Sequence, residues 1–151
     1  MSRISQGECP HMDMEWYAVD SNGNIAVFCS AGCGNLPEFV CEDRERADRL
    51  MELFEKLSFS SECKIRFDLT PRATEVAEEF SKKGLFYYDS DDCTKKGICT
   101  LHEYYTKVSY PLIPLNFNNL SEEMQKLLKY NIIKNIDFSE SDTIYVQHAY
   151  E

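Results

Sequence analysis

Trp16-Tyr17-Ala18-Val19 and Ile25-Ala26-Val27-Phe28-Cys29 are two β-rich runs separated by Asp20-Ser21-Asn22-Gly23-Asn24. An Asn-Gly pair between two such runs is a strong short-range hairpin signal, because both residues tolerate the positive φ that a tight turn requires. The chain therefore opens with an antiparallel pair, and Ser30-Ala31-Gly32-Cys33-Gly34-Asn35-Leu36-Pro37 ends it as an irregular loop.

Downstream, Ala47, Leu50, Met51, Phe54 and Leu57 recur at three- and four-residue spacing among charges, which predicts a helix over 43–57. Cys63 to Phe67 alternates as a half-buried strand. Thr70-Pro71 then supplies an N-cap with proline at the first helical position, and Ala73, Val76, Ala77 and Phe80 form the apolar stripe of a second helix stopped at Gly84. Residues 85–89 read as a strand, 90–97 as a polar loop and 98–108 as β-rich. The two prolines in Tyr110-Pro111-Leu112-Ile113-Pro114-Leu115 argue against a central strand there. Ser121 caps a third helix carrying Met124, Leu127 and Leu128, and 143–146 closes the chain as a strand. No repeat or linker divides the sequence. The expectation is one α+β domain over 1–151, an antiparallel sheet with about three helices, preceded by a loose lead-in over 1–13.

The 151 residues are 43% hydrophobic and include nine Tyr, nine Phe and one Trp, enough for one core and incompatible with disorder. Asp and Glu number 26 against 16 Lys and Arg, a net charge of −10. Binding to nucleic acid phosphates or to anionic lipid needs a positive footprint, and the basic residues here do not cluster, so neither is expected as a partner. No run approaches the roughly 18 apolar residues of a membrane span, and the N-terminus has no secretory pattern, so a cytoplasmic location is expected.

The seven cysteines, Cys9, Cys29, Cys33, Cys41, Cys63, Cys93 and Cys99, are odd in number and without a secretion signal, which favours reduced thiols. Their close pairs, Cys29/Cys33 and Cys93/Cys99, fall short of the paired four-ligand spacing of structural zinc, and no Cys-x-x-Cys is present. No cofactor is expected. A thiol nucleophile needs a histidine base, and His11, His102 and His148 have no local sequence that favours the role. Cys33 between Gly32 and Gly34 is the best single nucleophile candidate, though a tight turn explains Gly-Cys-Gly without chemistry. Asp89, Asp91 and Asp92 are the densest acidic cluster but lack the glycine and distal glutamate of a calcium loop.

The stretch Trp16 to Gly32 resembles an opening found in small bacterial cytoplasmic proteins and is similar to hairpins of SUKH-like immunity proteins, which neutralise polymorphic toxins by binding them. Gly84 to Asp89, Tyr104-Tyr105, Tyr110-Pro111, Pro114-Leu115 and Asp137-Phe138 through Ile144 echo it more loosely. The helical Leu-Pro-x-x-Tyr segment and the Asn-Gly-Gly of central SUKH members are absent. The resemblance implies an α+β binding protein without a catalytic centre, and it assigns Trp16, Asp20, Gly23 and Gly32 to the turn and sheet. The expected function is thus a non-catalytic protein-binding module, an immunity protein facing a cationic toxin domain such as a nuclease. A thiol-dependent enzyme or metal-binding protein using Cys29 and Cys33, and a housekeeping interaction domain, are the alternatives. Glu42, Glu45, Asp48, Asp89, Asp91 and Asp92 are the acidic positions expected to meet a partner. Acids in helix first turns are already accounted for by the helix dipole; Glu75, Glu78 and Glu79 of the second helix are not.

Overall fold

The computed structural model describes residues 2–5, 13–31, 34–90 and 103–147. Strands β1 (Glu15–Val19) and β2 (Ile25–Cys29) form the hairpin, in register from Glu15 opposite Cys29 to Val19 opposite Ile25. At the turn, Gly23 has φ +84°, and Asp20 Oδ1 accepts the amides of Asn22 and Asn24, each at 2.9 Å. Its Oδ2 accepts the Phe138 amide at 2.8 Å, so one buried carboxylate ties the turn to the C-terminal part of the chain.

The chain then passes through α1 (Glu38–Cys41), α2 (Arg44–Glu55), β3 (Cys63–Ile65) and α3 (Pro71–Ser81) before β4 (Phe86–Asp89). Side-chain caps start the longer helices: Asp43 accepts the Arg46 amide at 3.1 Å, and Thr70 accepts that of Ala73 at 3.2 Å with Pro71 behind it. Gly84 follows α3 at φ +94°; a Cβ there would come within 2.7 Å of the Leu115 backbone nitrogen. β5 (Tyr104–Pro111), α4 (Glu122–Leu128, capped by Ser121) and β6 (Thr143–Tyr145) complete the described fold.

The result is an α+β fold with sheet order β1-β2-β4-β5-β3, and β6 also pairs with β5. Two expectations are corrected. The sheet is mixed rather than antiparallel, because β2 runs parallel to β4, Ala26 opposite Phe86 through Cys29 opposite Asp89. Tyr110 and Pro111 do belong to a central strand. The bonds Leu112 N–H to Glu62 O (2.9 Å) and Arg66 N–H to Val108 O (2.8 Å) flank the Cys63–Pro111 pair, which is therefore of the non-hydrogen-bonded kind. A proline there removes no donor from the β3 ladder, and pairing with β4 begins only at Ser109.

β1 and β2 are buried on both faces, which is why they read as continuous apolar runs. On one face Trp16 stacks on Phe28 (centroids 4.1 Å, 7°), Phe28 on Tyr88 (5.0 Å), and the Trp16 indole N–H donates to Tyr105 Oη at 3.2 Å. The Tyr105 hydroxyl continues to Asn35 O at 2.7 Å. On the other face Tyr17, Val27, Leu85 and Tyr87 lie under α2, α3 and α4 through Leu50, Phe54, Ala77, Met124 and Leu128. The outer edge of β1 is covered: Ile133 N–H donates to Val19 O and the Asn131 amide to Tyr17 O, both at 2.8 Å.

Within the stretch read as a lead-in, residues 2–5 are fixed against α1 and α2. Ile4 is fully buried with its amide on Cys41 O, and Arg3 holds Glu38 through two bonds of 2.6 Å. Among the described residues no helix is long and apolar enough to cross a membrane.

Candidate functional site

Pairing across β1, β2 and β4 places Glu15, Cys29 and Asp89 in one row, on the face that also presents Tyr17, Val27 and Tyr87. The Tyr87 hydroxyl donates to Asp89 Oδ2 at 2.7 Å and the Tyr17 hydroxyl to Glu15 Oε1 at 3.3 Å. Burial, then the Asp89 and Glu15 charges, push the Cys29 thiol well up, so it is held protonated at neutral pH. A protonated thiol is a poor nucleophile. Burial, followed by the neighbouring Cys29 and Asp89, raises the Tyr87 phenol, and burial followed by Glu15 raises that of Tyr17. Among the described residues no three His, Cys, Asp or Glu side chains converge as a metal-holding group. The row can accept a proton or a positive charge; it presents no activated nucleophile.

Beside Glu15 and Tyr17 a cleft of about 360 Å³ opens between α2 and α3. Its floor is apolar: Tyr17 stacks on Phe54 at 4.1 Å, with Phe80 and Leu85 alongside. Its rim carries Glu15, Glu55 and Glu79, none of which has an ion pair among the described residues. Among the described residues the one cation at the rim, Lys83, is turned inward, donating Nζ–H to Phe54 O (3.2 Å) and Glu55 O (3.0 Å) and so capping α2. Burial raises the Glu15 carboxyl above its ordinary range; Glu55 and Asp13 add to the effect, while the Tyr17 bond and Lys83 oppose it.

Glu55 and Glu79 sit in the last turns of α2 and α3. There the backbone dipole presents its negative end and an acidic side chain is unfavourable. Lys83 offsets this at the end of α2 through its two bonds to the terminal carbonyls, but it forms no ion pair with Glu55 or Glu79 among the described residues.

The acids expected from sequence are spread elsewhere. Glu42 lies 3.6 Å from Arg46, and Glu45 accepts the Ser2 amide and hydroxyl, which lower its carboxyl. Asp48 is exposed on α2 with no ion pair among the described residues. Asp89 is bound to Tyr87 at the end of β4. Asp91, Asp92, Gly32 and Cys33 lie outside the described residues, as do Cys9, Cys93, Cys99 and the three histidines. Trp16, Asp20 and Gly23 occupy the stacked core and the turn. Of the second-helix acids, Glu78 reaches Lys82 at 4.0 Å, whereas Glu79 faces the cleft. Glu15 and Glu55 were not singled out from sequence; the available signal was an acid opening an otherwise apolar strand and an acid closing a helix.

Comparison with protein-family models, with curated proteins and with solved structures finds no match to this chain.

Proposed function

We propose that this chain is a non-catalytic protein-binding module whose partner presents a positive surface, with an immunity-type role against a cationic toxin domain such as a nuclease as its specific form. The observation that carries the reading is the distribution of unpaired acids: Asp48 and Glu55 on α2, and Glu75 and Glu79 on α3, are exposed and without an ion pair among the described residues. Unpaired surface carboxylates gathered on two neighbouring helices accelerate encounter with a basic partner and repel acidic ones. The raised Cys29 thiol, held protonated at neutral pH, weighs against its use as a nucleophile.

The test is capture on immobilised full chain at low ionic strength, followed by elution with salt and identification of the captured protein. Long-range attraction acts over about 10 Å at 0.1 M salt and about 3 Å at 1 M, so a basic partner is expected to bind at low salt and to leave at high salt. A basic partner whose toxicity is relieved on binding supports the immunity form. A basic partner without toxicity leaves the binding module and removes that form. Capture of nothing at low salt, or of an acidic protein, overturns the proposal.

A further inference from the structure

The α2–α3 cleft has an apolar floor and a carboxylate rim, and this pairing defines what fits it. At about 360 Å³ it lies at the lower end of the range of ligand pockets, large enough for one or two side chains and too small for a folded element. Tyr17, Phe54 and Phe80 offer aromatic surface, which an alkyl stem covers and over which a cation is attracted. Among the described residues the rim has three carboxylates against one ammonium, and Lys83 Nζ is committed to the two α2 carbonyls. Both glutamates contributed by the helices stand in the last turns of those helices, where the backbone dipole adds to their negative charge and Lys83 offsets only part of it.

We infer that this cleft seats an arginine or lysine side chain of the protein partner, its stem on the Tyr17–Phe54–Phe80 floor and its head among Glu15, Glu55 and Glu79. The inference rests on the binding-module reading and specifies its central contact. A cation there replaces an electrostatic cost with an attraction in a partly desolvated site, the setting in which a single basic anchor contributes most to an interface.

The test is an NMR titration of the full chain with acetyl-Gly-Leu-Arg-Leu-Gly-amide, alongside the same peptide with citrulline, which keeps the shape and removes the charge. Saturable shifts are expected at the amides of Tyr17, Phe54, Glu55, Glu79 and Phe80, and about tenfold weaker binding of the citrulline peptide. The Glu55→Lys/Glu79→Lys variant is expected to weaken the arginine peptide by at least about tenfold, with Glu55→Gln/Glu79→Gln as the milder pair should the reversal disturb folding. Glu42→Lys/Glu45→Lys is expected to leave it unchanged. Shifts centred elsewhere, no saturable shift, or equal binding by the citrulline peptide overturns the inference. So does hexylguanidinium binding more tightly than the peptide, which assigns the cleft to a small organic cation. If a captured basic partner binds Glu55→Lys/Glu79→Lys as well as the natural chain, the cleft assignment falls and the binding module stands. If the peptide docks while no partner is captured, the reverse holds.

Discussion

On one face of the sheet Trp16, Phe28 and Tyr88 stack, with Tyr105 edge-on, beneath the short α1 and loop segments, while on the other Tyr17, Val27 and Tyr87 lie beneath three helices. The loop-covered face closes fully, since irregular backbone can follow the contours of the rings and offer carbonyls to their hydroxyls: Asn35 O to Tyr105, Phe138 O and Ser141 O to Tyr88. On the helix-covered face a cleft is left between α2 and α3, lined by Tyr17, Phe54, Phe80 and Leu85. Both faces carry a buried core, and the helix-covered one also leaves an open cleft at its edge.

The contrast can be broken by truncating one stacked ring on each side. Trp16→Ala removes a fully enclosed ring and its bond to Tyr105, and is expected to cost about 4 kcal/mol in a urea or guanidinium titration. Phe54→Ala removes the ring stacked on Tyr17 beside an open cleft, where water reaches the vacated space, and is expected to cost about 3 kcal/mol. Equal costs would show that the two faces are closed alike, and the opposite order that the helix-covered face is the tighter.

Asp20 links the hairpin to the loop-covered face alone. Asp20→Ala leaves three amides without their acceptor and is expected to cost about 2 kcal/mol; Asp20→Asn keeps one oxygen and should cost less. A loss below about 0.5 kcal/mol for alanine would mean that the turn holds without this tie.

The smallest effect is expected in the cleft, and its pH dependence carries the information. Because burial raises the Glu15 carboxyl above its unfolded value, the folded chain binds more protons than the unfolded one between those two values. Stability therefore falls as pH rises through that window, and the cost persists above it. Glu15→Gln should stabilise the protein at pH 7 by about 0.5 kcal/mol, held low by solvent screening at a half-exposed site, and the gain should vanish below the ordinary carboxylate range. A gain independent of pH would place its origin outside the carboxylate charge.

What the sequence makes readable here is whatever is decided locally. The Asn22-Gly23 turn, the Asp43, Thr70 and Ser121 caps and the apolar stripes of α2, α3 and α4 each follow from a few neighbouring residues, and the α+β class follows from them. The parallel contact of β2 with β4 joins Ala26 to Phe86, and no local pattern encodes such a pairing. The place of Pro111 depended on which side of β5 its ring faced, a property of register rather than of composition. The candidate site was harder still. Glu79 stood out as an acid that its helix does not explain, but Glu15 and Glu55 acquire meaning only once α2 and α3 are laid over β1. Acidic residues are too common in this chain for sequence to separate those paired by Arg3, Arg46 and Arg49 from those left unpaired.

The parallel β2–β4 contact also sets the order of events during synthesis. The hairpin can form as soon as Cys29 has left the ribosome, but the free edge of β2 has to wait until Phe86 to Asp89 have been made and α2 and α3 lie between. Throughout that interval Ile25 to Cys29 is an apolar strand with unsatisfied backbone groups, the most association-prone condition this chain passes through. A chain truncated before Phe86 and released from the ribosome should therefore aggregate and pellet on centrifugation, while the full chain should stay in the supernatant.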